Sequence, residues 1–389
     1  MKSDDTSVQA RVAKRNRADK RFKLYGLAAL SFALAFLIFF FVDIIGKGLP
    51  AFQQAEIKVT IHYSEAAQNN YNMAVDRSHR ALVSKAWLRL VPNQIEAHPE
   101  LLGQDREEWV LAENRVDQFL KGAEGHRLKS KYQRIIKQME EEGTVRLAFN
   151  TGFFSKGDSK MPEHAGILAS AVGSVLVLLL TMLFAVPIGV MTAIYLEEFA
   201  PDNRLTQVIE VNINNLAAIP SILYGLLGLA IFINFMGVPR SSALVGGLTL
   251  ALMTLPVIII ATRAALRAVP DSIREAAYGV GASSLQTVWH HVLPLAMPGI
   301  LTGSIIGLAQ AMGETAPLLI VGMMAYIPDA PGSIFEATTV LPAQIYTWSS
   351  ESLRAFEERT AAGIMILLGV LLSLNAVAVK LRNRSENTW

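Results

Sequence analysis

Three groups of residues in this sequence could do chemistry, and none is built to break covalent bonds. Glu314 is a carboxylate inside an apolar run, with Gln310 before it and Thr315 after it. Leaving such a charge unpaired in hydrocarbon is expensive, so it marks a gate, an ion pair with a partner chain, or a water-facing position near a span's end. A second group, Glu210, Asn212, Asn214 and Asn215 with Ser221 beyond, brings amide and hydroxyl donors into another apolar run. Donors of that kind suit the oxygens of an oxyanion in a passage, and equally suit hydrogen bonds that hold helices together. The third group is the polar stretch REAAYGVGASSLQTVWHHVLP, residues 274–294. The chain has no cysteine, which excludes disulfides, thiolate metal sites and cysteine nucleophiles. His62, His79, His98 and His126 are scattered without ligand spacing, and there is no G-x-x-x-x-G-K-[ST] loop to cradle a nucleotide. What remains is non-covalent work: handling an anion and transmitting force.

The polar stretch reads as two short helices meeting at an angle. Ser272 and Glu275 have capping-box spacing and are expected to open the first. Ile273, Ala276, Ala277 and Val280 then share one narrow face, and Gly281 ends the helix, as glycine does just past a last turn. Ser283 and Gln286 repeat the box, and Leu285, Val288, Trp289 and Val292 line a second face before Pro294. The paired alanines allow another backbone to approach closely, so the elbow suits a partner's groove better than a bare connection would.

The elements that must position these groups are membrane spans. The chain has 389 residues, 52% of them hydrophobic and 17% charged, with mean hydropathy +0.34. That is too apolar for a soluble enzyme and too polar for a chain wholly in lipid, so a membrane domain and a water-exposed domain are expected together. Apolar runs at 24–42, 166–195, 208–235, 242–262, 295–324 and 361–379 are each about long enough to cross a hydrocarbon core of roughly 30 Å. Residues 1–23 carry eight Lys/Arg and three Asp, a basic tail that belongs in the cytoplasm before a retained first span at 24–46. Arg263, Arg267 and Arg274 put the elbow on the same side, and Lys380, Arg382 and Arg384 do so for the C-terminal end. The loop at 196–206 carries no net positive charge. Because the apolar run to Tyr326 overshoots one span, a break is expected between Gly313 and Pro317. Tyr346 and Trp348 are expected at a headgroup belt.

Residues 51–163 form the largest soluble segment, which this topology places outside. EIKVTIHY alternates Ile57, Val59, Ile61 and Tyr63 as a half-buried strand should, and TVRLAFN does the same with Val145, Leu147 and Phe149. Helical patterns lie between, so a small α+β domain with two paired strands is expected. The fold class is therefore an all-α polytopic membrane protein with six transmembrane helices plus a small α+β extracytoplasmic domain. The transmembrane domain covers 164–383, with the cytoplasmic loop at 271–294.

Glu275-Ala276-Ala277, three residues, Gly281, nine residues, then His291, any residue and Leu293-Pro294 resembles the cytoplasmic signature of ABC importer permeases, with His291 where isoleucine is usual. IYLEEFAPDN (194–203), NLAAIPSILYGLLGLAIF (215–232), AMGETAPLLIVG (311–322) and LPAQIYTW (341–348) resemble the phosphate-specific permease subunits of the PstA family. The likeness covers about residues 150–389. It implies the ABC importer permease fold in a bacterial inner membrane, with both termini cytoplasmic and no catalytic residue, metal or cofactor in this chain. It implies an elbow docked on a separate ATPase, which makes Arg274, Glu275, Ala276, Ala277, Gly281, Leu285, Trp289, Leu293 and Pro294 the expected coupling set. The implied partners are a PstC-like second permease, two copies of a PstB-like ATPase and a periplasmic PstS-like phosphate-binding protein, with phosphate as cargo. Asn215, Ser221, Gln310, Glu314 and Thr315 are the expected pathway residues.

The residue before AMGET is often arginine in this family, and Gln310 stands there instead. The apolar parts of spans two to six then hold no Lys or Arg, so the pathway is expected to be water-filled or to borrow positive charge from the second permease. Sulfate, molybdate or phosphonate would need similar donors. A membrane sensor with an external domain is the reading from another class; it requires a cytoplasmic output domain, whereas about ten residues follow the last span.

Overall fold

Five helices are long and apolar enough to cross a membrane, and one bent helix pair passes the same test only when taken together, in a computed structural model that describes residues 3–123 and 126–385. Helix α1 (Ser3–Gly48) leads into the insert, whose strands are β1 (Gln53–Tyr63), β2 (Gln104–Leu111) and β3 (Val145–Phe149). The insert also carries α2 (Asn114–Leu120) and α3 (Ser130–Glu141). The bundle follows as α4 (Leu168–Ile194), α5 (Arg204–Ala217), α6 (Ser221–Gly228) and α7 (Ala243–Arg267). The elbow is α8 (Asp271–Gly279) and α9 (Ser284–Thr287), and the chain ends through α10 (Leu293–Gly313), α11 (Ala316–Ile320), α12 (Leu341–Ser349) and α13 (Ala355–Ser385).

Helix α7 is the most buried of the spanning helices and α1 the least. Lipid tails give apolar helices no hydrophobic reason to associate, so close packing of small residues holds such bundles together. The α7–α10 contact shows this: Gly303 sits against Ala261 and Gly299 against Ala265, where an added methyl would overlap. The Thr181 hydroxyl bridges α4 to α7, donating to the Gly247 carbonyl at 3.2 Å as well as to its own helix at Val177.

Two expectations about the spans need correction and one stands. The run 208–235 is not one straight crossing: α5 and the helix from Ser221 to Phe235 meet at 105°. Pro220 has no N–H to continue α5, and the Tyr224 hydroxyl fastens the bend by donating to the Leu216 carbonyl at 2.7 Å. The last helix starts at Ala355 rather than near 361, which brings Arg359 into it, buried. The break in 313–317 is present: α10 stops at Gly313, Glu314 is extended, and α11 restarts at Ala316.

The insert has three strands, not two, in the antiparallel order β2-β1-β3. Ile57, Val59, Ile61 and Tyr63 of the central strand all point into the core, with Val110 beside Ile57 on β2 and Ile136 and Met139 of α3 in the same cluster. Strand β3 departs from its expected half-burial. Of its three expected residues only Val145 packs on the core, while Leu147 and Phe149 of this short edge strand are exposed.

The insert is bound to the bundle by buried polar contacts. Lys121 reaches Asp117 at 2.7 Å and Glu358 of α13 at 3.2 Å, and Gln118 donates to Glu358 at 2.7 Å. Arg359 donates to the Ala51 carbonyl at 3.0 Å, and within the insert Ser84 donates to Glu163, just before the bundle, at 2.7 Å. Trp348, expected at a headgroup belt, is buried at this junction with its indole N–H on Asp158 at 2.9 Å.

Candidate functional site

The elbow is built by local sequence and then pinned by distant carboxylates. Helix α8 starts at Asp271 behind Pro270, two residues earlier than a Ser272 cap would place it, so the Ser272–Glu275 box does not form. It ends as expected: the Ala282 N–H donates to the Ala277 carbonyl at 3.0 Å and the Gly281 N–H to that of Tyr278 at 2.9 Å. That closure needs a left-handed residue, and Gly281 supplies φ +88°. The second box is present, with Ser283 accepting from the Gln286 N–H at 3.3 Å and Gln286 accepting from the Ser283 N–H at 2.9 Å. A π turn at Val288–Val292 then feeds α10, where Leu293 is half-buried and Pro294 exposed.

The two expected apolar faces sort differently in three dimensions. Ile273, Val292 and Leu293 pack on Leu266, Ala296 and Ile300 of the body, and Ala277 and Val288 are also buried. Val280, Leu285, Trp289 and Tyr278 are left bare, at 84%, 65%, 62% and 49% exposure. Glu275 and Ala276 lie exposed beside them. The elbow thus presents an apolar edge on the side away from its own bundle.

Arg274 does not point to that edge. Its guanidinium turns inward to Glu198 at 2.7 and 3.2 Å, and it also donates to the carbonyls of Val269 at 2.8 Å and Leu266 at 3.0 Å. The hydrogen bond to Glu198 holds its pKa above the ordinary guanidinium value. Arg263 bridges Glu197 at 3.1 Å and Glu210 at 2.6 Å, and Arg267 meets Glu197 at 2.7 Å. Three arginines from the end of α7 and the elbow are thus matched by three carboxylates from the α4–α5 region. Sequence reasoning missed Glu197 and Glu198. The available signal was a doubled carboxylate in a loop on the arginine side whose own net charge is negative.

The expected pathway residues occupy two helix breaks. Ser221 opens α6 after the 105° bend, and Asn215 is exposed on α5 just before it. Glu314 and Thr315 form the α10–α11 break, half-buried, and Gln310 is exposed one turn earlier. The breaks are tied because α6 packs on α11, with Gly225 against Pro317. Among the described residues, no side-chain hydrogen bond engages Asn215, Ser221, Gln310, Glu314 or Thr315, so their donors and acceptors are open. Asn212 bonds its own helix at the Val208 carbonyl, 2.7 Å, rather than a neighbour.

Residues 185–385 match the family described as binding-protein-dependent transport system inner membrane component. The phosphate transport system permease protein PstA 1 of Mycobacterium tuberculosis is 32% identical over 225 residues, 57% of this chain and 73% of that relative. The chain belongs to this family. The probable ABC transporter permease protein YqgI of Bacillus subtilis is 30% identical over 244 residues, 59% of this chain and 82% of its own. A solved inward-facing MetNI methionine ABC transporter aligns with 55% of this chain and 95% of its own at 20% identity, with a TM-score of 0.43. The chain is thus a permease subunit, multi-pass in the inner membrane. The elbow, its carboxylate clamp and both helix breaks lie inside the matched region. Residues 9–82 match a domain of unknown function, DUF3333, which runs from the basic tail through α1 into the insert.

Proposed function

We propose that this permease is one half of the membrane core of an ATP-driven phosphate importer, coupled through the elbow to a separate ATPase. The observation that carries the coupling is the bare apolar edge of Tyr278, Val280, Leu285 and Trp289 on an elbow held rigid from behind. An exposed apolar set of that kind on a fixed support is what a partner's groove takes up. In this reading Glu275, Ala276, Leu285 and Trp289 touch the ATPase. Gly281, Leu293 and Pro294 shape the elbow, Ala277 seats it, and Arg274 positions it without contact. Two copies of a PstB-like ATPase close on ATP, and their movement rocks the elbow and the attached α7 and α10 between outward and inward openings.

Phosphate is the cargo this reading favours because relatives in two lineages bear the name phosphate transport permease. Asn215, Ser221, Gln310, Glu314 and Thr315 line the passage, facing a PstC-like second permease, and a PstS-like binding protein delivers the anion. The termini and elbow are cytoplasmic, and the 51–163 insert lies outside. Purification in mild detergent followed by reconstitution tests the reading. A second permease and an ATPase should accompany the chain, and the vesicles should take up labelled phosphate, in preference to sulfate or molybdate, only with ATP. Uptake of another oxyanion in preference to phosphate would overturn the cargo, and absence of any ATPase would overturn the coupling.

A further inference from the structure

The insert carries a cavity of about 230 Å³ that the transport reading does not use. Arg80, Lys85, Arg115 and Lys129 line it with Tyr132, and Glu113 is the one carboxylate among the lining residues. Four cations against one anion leave a net charge of +3 in one depression. Glu113 can offset only one of them: it caps α2 by accepting from the Arg115 N–H at 2.9 Å and pairs with the Arg115 side chain at 3.6 Å. Among the described residues Lys85 and Lys129 enter no ion pair. The Arg80 Nε is buried without a hydrogen-bond partner, and its Nη2 reaches only the Met73 sulfur at 4.0 Å, a weak acceptor. A buried guanidinium donor left unmatched is costly and needs an acceptor from elsewhere. The first turn of α3 opens at the same place, with Lys129 at its cap position and no side chain capping its N–H groups. Clustered cations, an orphan guanidinium donor and an uncapped twelve-residue helix all ask for an anion.

We infer that this cavity binds a small phosphate-type oxyanion group, supplied as free inorganic phosphate or as a phospholipid headgroup. Guanidinium forks and a tyrosine hydroxyl match tetrahedral oxygens, and the space accommodates such a group with several waters, each of which takes about 30 Å³. The wall that carries Arg80 and Lys85 also holds Ser84, whose hydroxyl meets Glu163 just before α4. Occupancy therefore stiffens the segment joining the insert to the bundle. The inference does not depend on which cargo the bundle carries.

The test uses the full chain in nanodiscs of phosphatidylcholine at low salt, titrated with labelled inorganic phosphate. The comparison is Lys85→Gln, Arg115→Gln and Lys129→Gln, alone and combined. These side chains are exposed, so the variants should fold, and a thermal melt checks it. One saturable site that weakens about tenfold or more in the triple variant supports a free anion, as expected when charge-assisted hydrogen bonds are removed. A second arm adds phosphatidylglycerol and counts retained lipids by native mass spectrometry. No phosphate site in the first arm, but lipid retention that the triple variant abolishes, supports a headgroup. Phosphate binding unchanged in the triple variant overturns the inference, and so does the absence of both signals.

Discussion

Replacing Arg274 by alanine should loosen the elbow without touching the surface it presents. The guanidinium satisfies a Glu198 carboxylate whose side chain is 6% exposed, together with the Leu266 and Val269 carbonyls near the end of α7. Breaking a buried ion pair costs about 3–5 kcal/mol because the remaining charge is stranded. The Arg274 side chain is 16% exposed, so water reaches the site and the cost falls to about 2–3 kcal/mol. Local opening of the elbow should then be about 30–150 times more populated, at 1.4 kcal/mol per tenfold. Amide hydrogen exchange of Val280, Gly281 and Ala282 reads this directly, since their N–H groups close the end of α8. In reconstituted vesicles uptake should fall while the ATPase remains bound. Pairing Arg274→Met with Glu198→Leu removes both charges and should recover most of the protection, with a coupling of at least ~1.5 kcal/mol. Unchanged exchange in the single variant, or strictly additive effects in the pair, would refute a clamp.

Other perturbations separate the parts of the site. A Cβ added at Gly281 meets no atoms within 4 Å, so the effect of Gly281→Val is chiefly conformational. At φ +88° a β-branched residue should abolish ATP-driven uptake with membrane insertion intact, as assayed in vesicles; full uptake would count against the coupling role. Trp289→Ala removes the largest ring of the bare edge and should weaken ATPase association by about 2 kcal/mol, roughly thirtyfold, in a pull-down titration. The junction should also be acid-sensitive. Burial, with Lys156 and Arg359 nearby, pushes the pKa of His164 down to about 4, so the folded protein keeps it neutral where the unfolded chain binds a proton. Its contribution is complete above pH 6.5 and is lost as pH falls toward 4, by at most about 3 kcal/mol. His164→Asn should flatten that slope in pH-resolved thermal melts.

The sequence made visible whatever is decided within one turn or one run of residues. Gly281 and the Ser283–Gln286 box are local hydrogen-bond chemistry, and the α10–α11 break follows from Gly313 and Pro317 in an overlong apolar run. The 105° bend escaped notice because hydropathy counts residues and carries no direction, so 208–235 passed as one crossing. The clamp escaped because Glu198 and Arg274 are 76 residues apart and nothing local pairs them. Strand β2 was missed since QDREEWVL is mostly solvent-facing, and its charges hide the alternation that reveals a buried strand. The elbow's expected faces divided for a similar reason. Helical spacing identifies apolar residues that share a side, but only the body behind α8 decides that Ala277 is covered and Val280 is not.

The contact of Lys121 and Gln118 with Glu358 means the insert does not hang on a leash. It is bolted to the head of the last helix, and β1 extends from that joint as an arm roughly 33 Å long, at about 3.3 Å per residue. A ten-degree tilt of α13 would sweep the Tyr63 end through roughly 6 Å on that arm. Whatever meets the far end of the sheet therefore feels each swing of the last crossing, magnified by leverage.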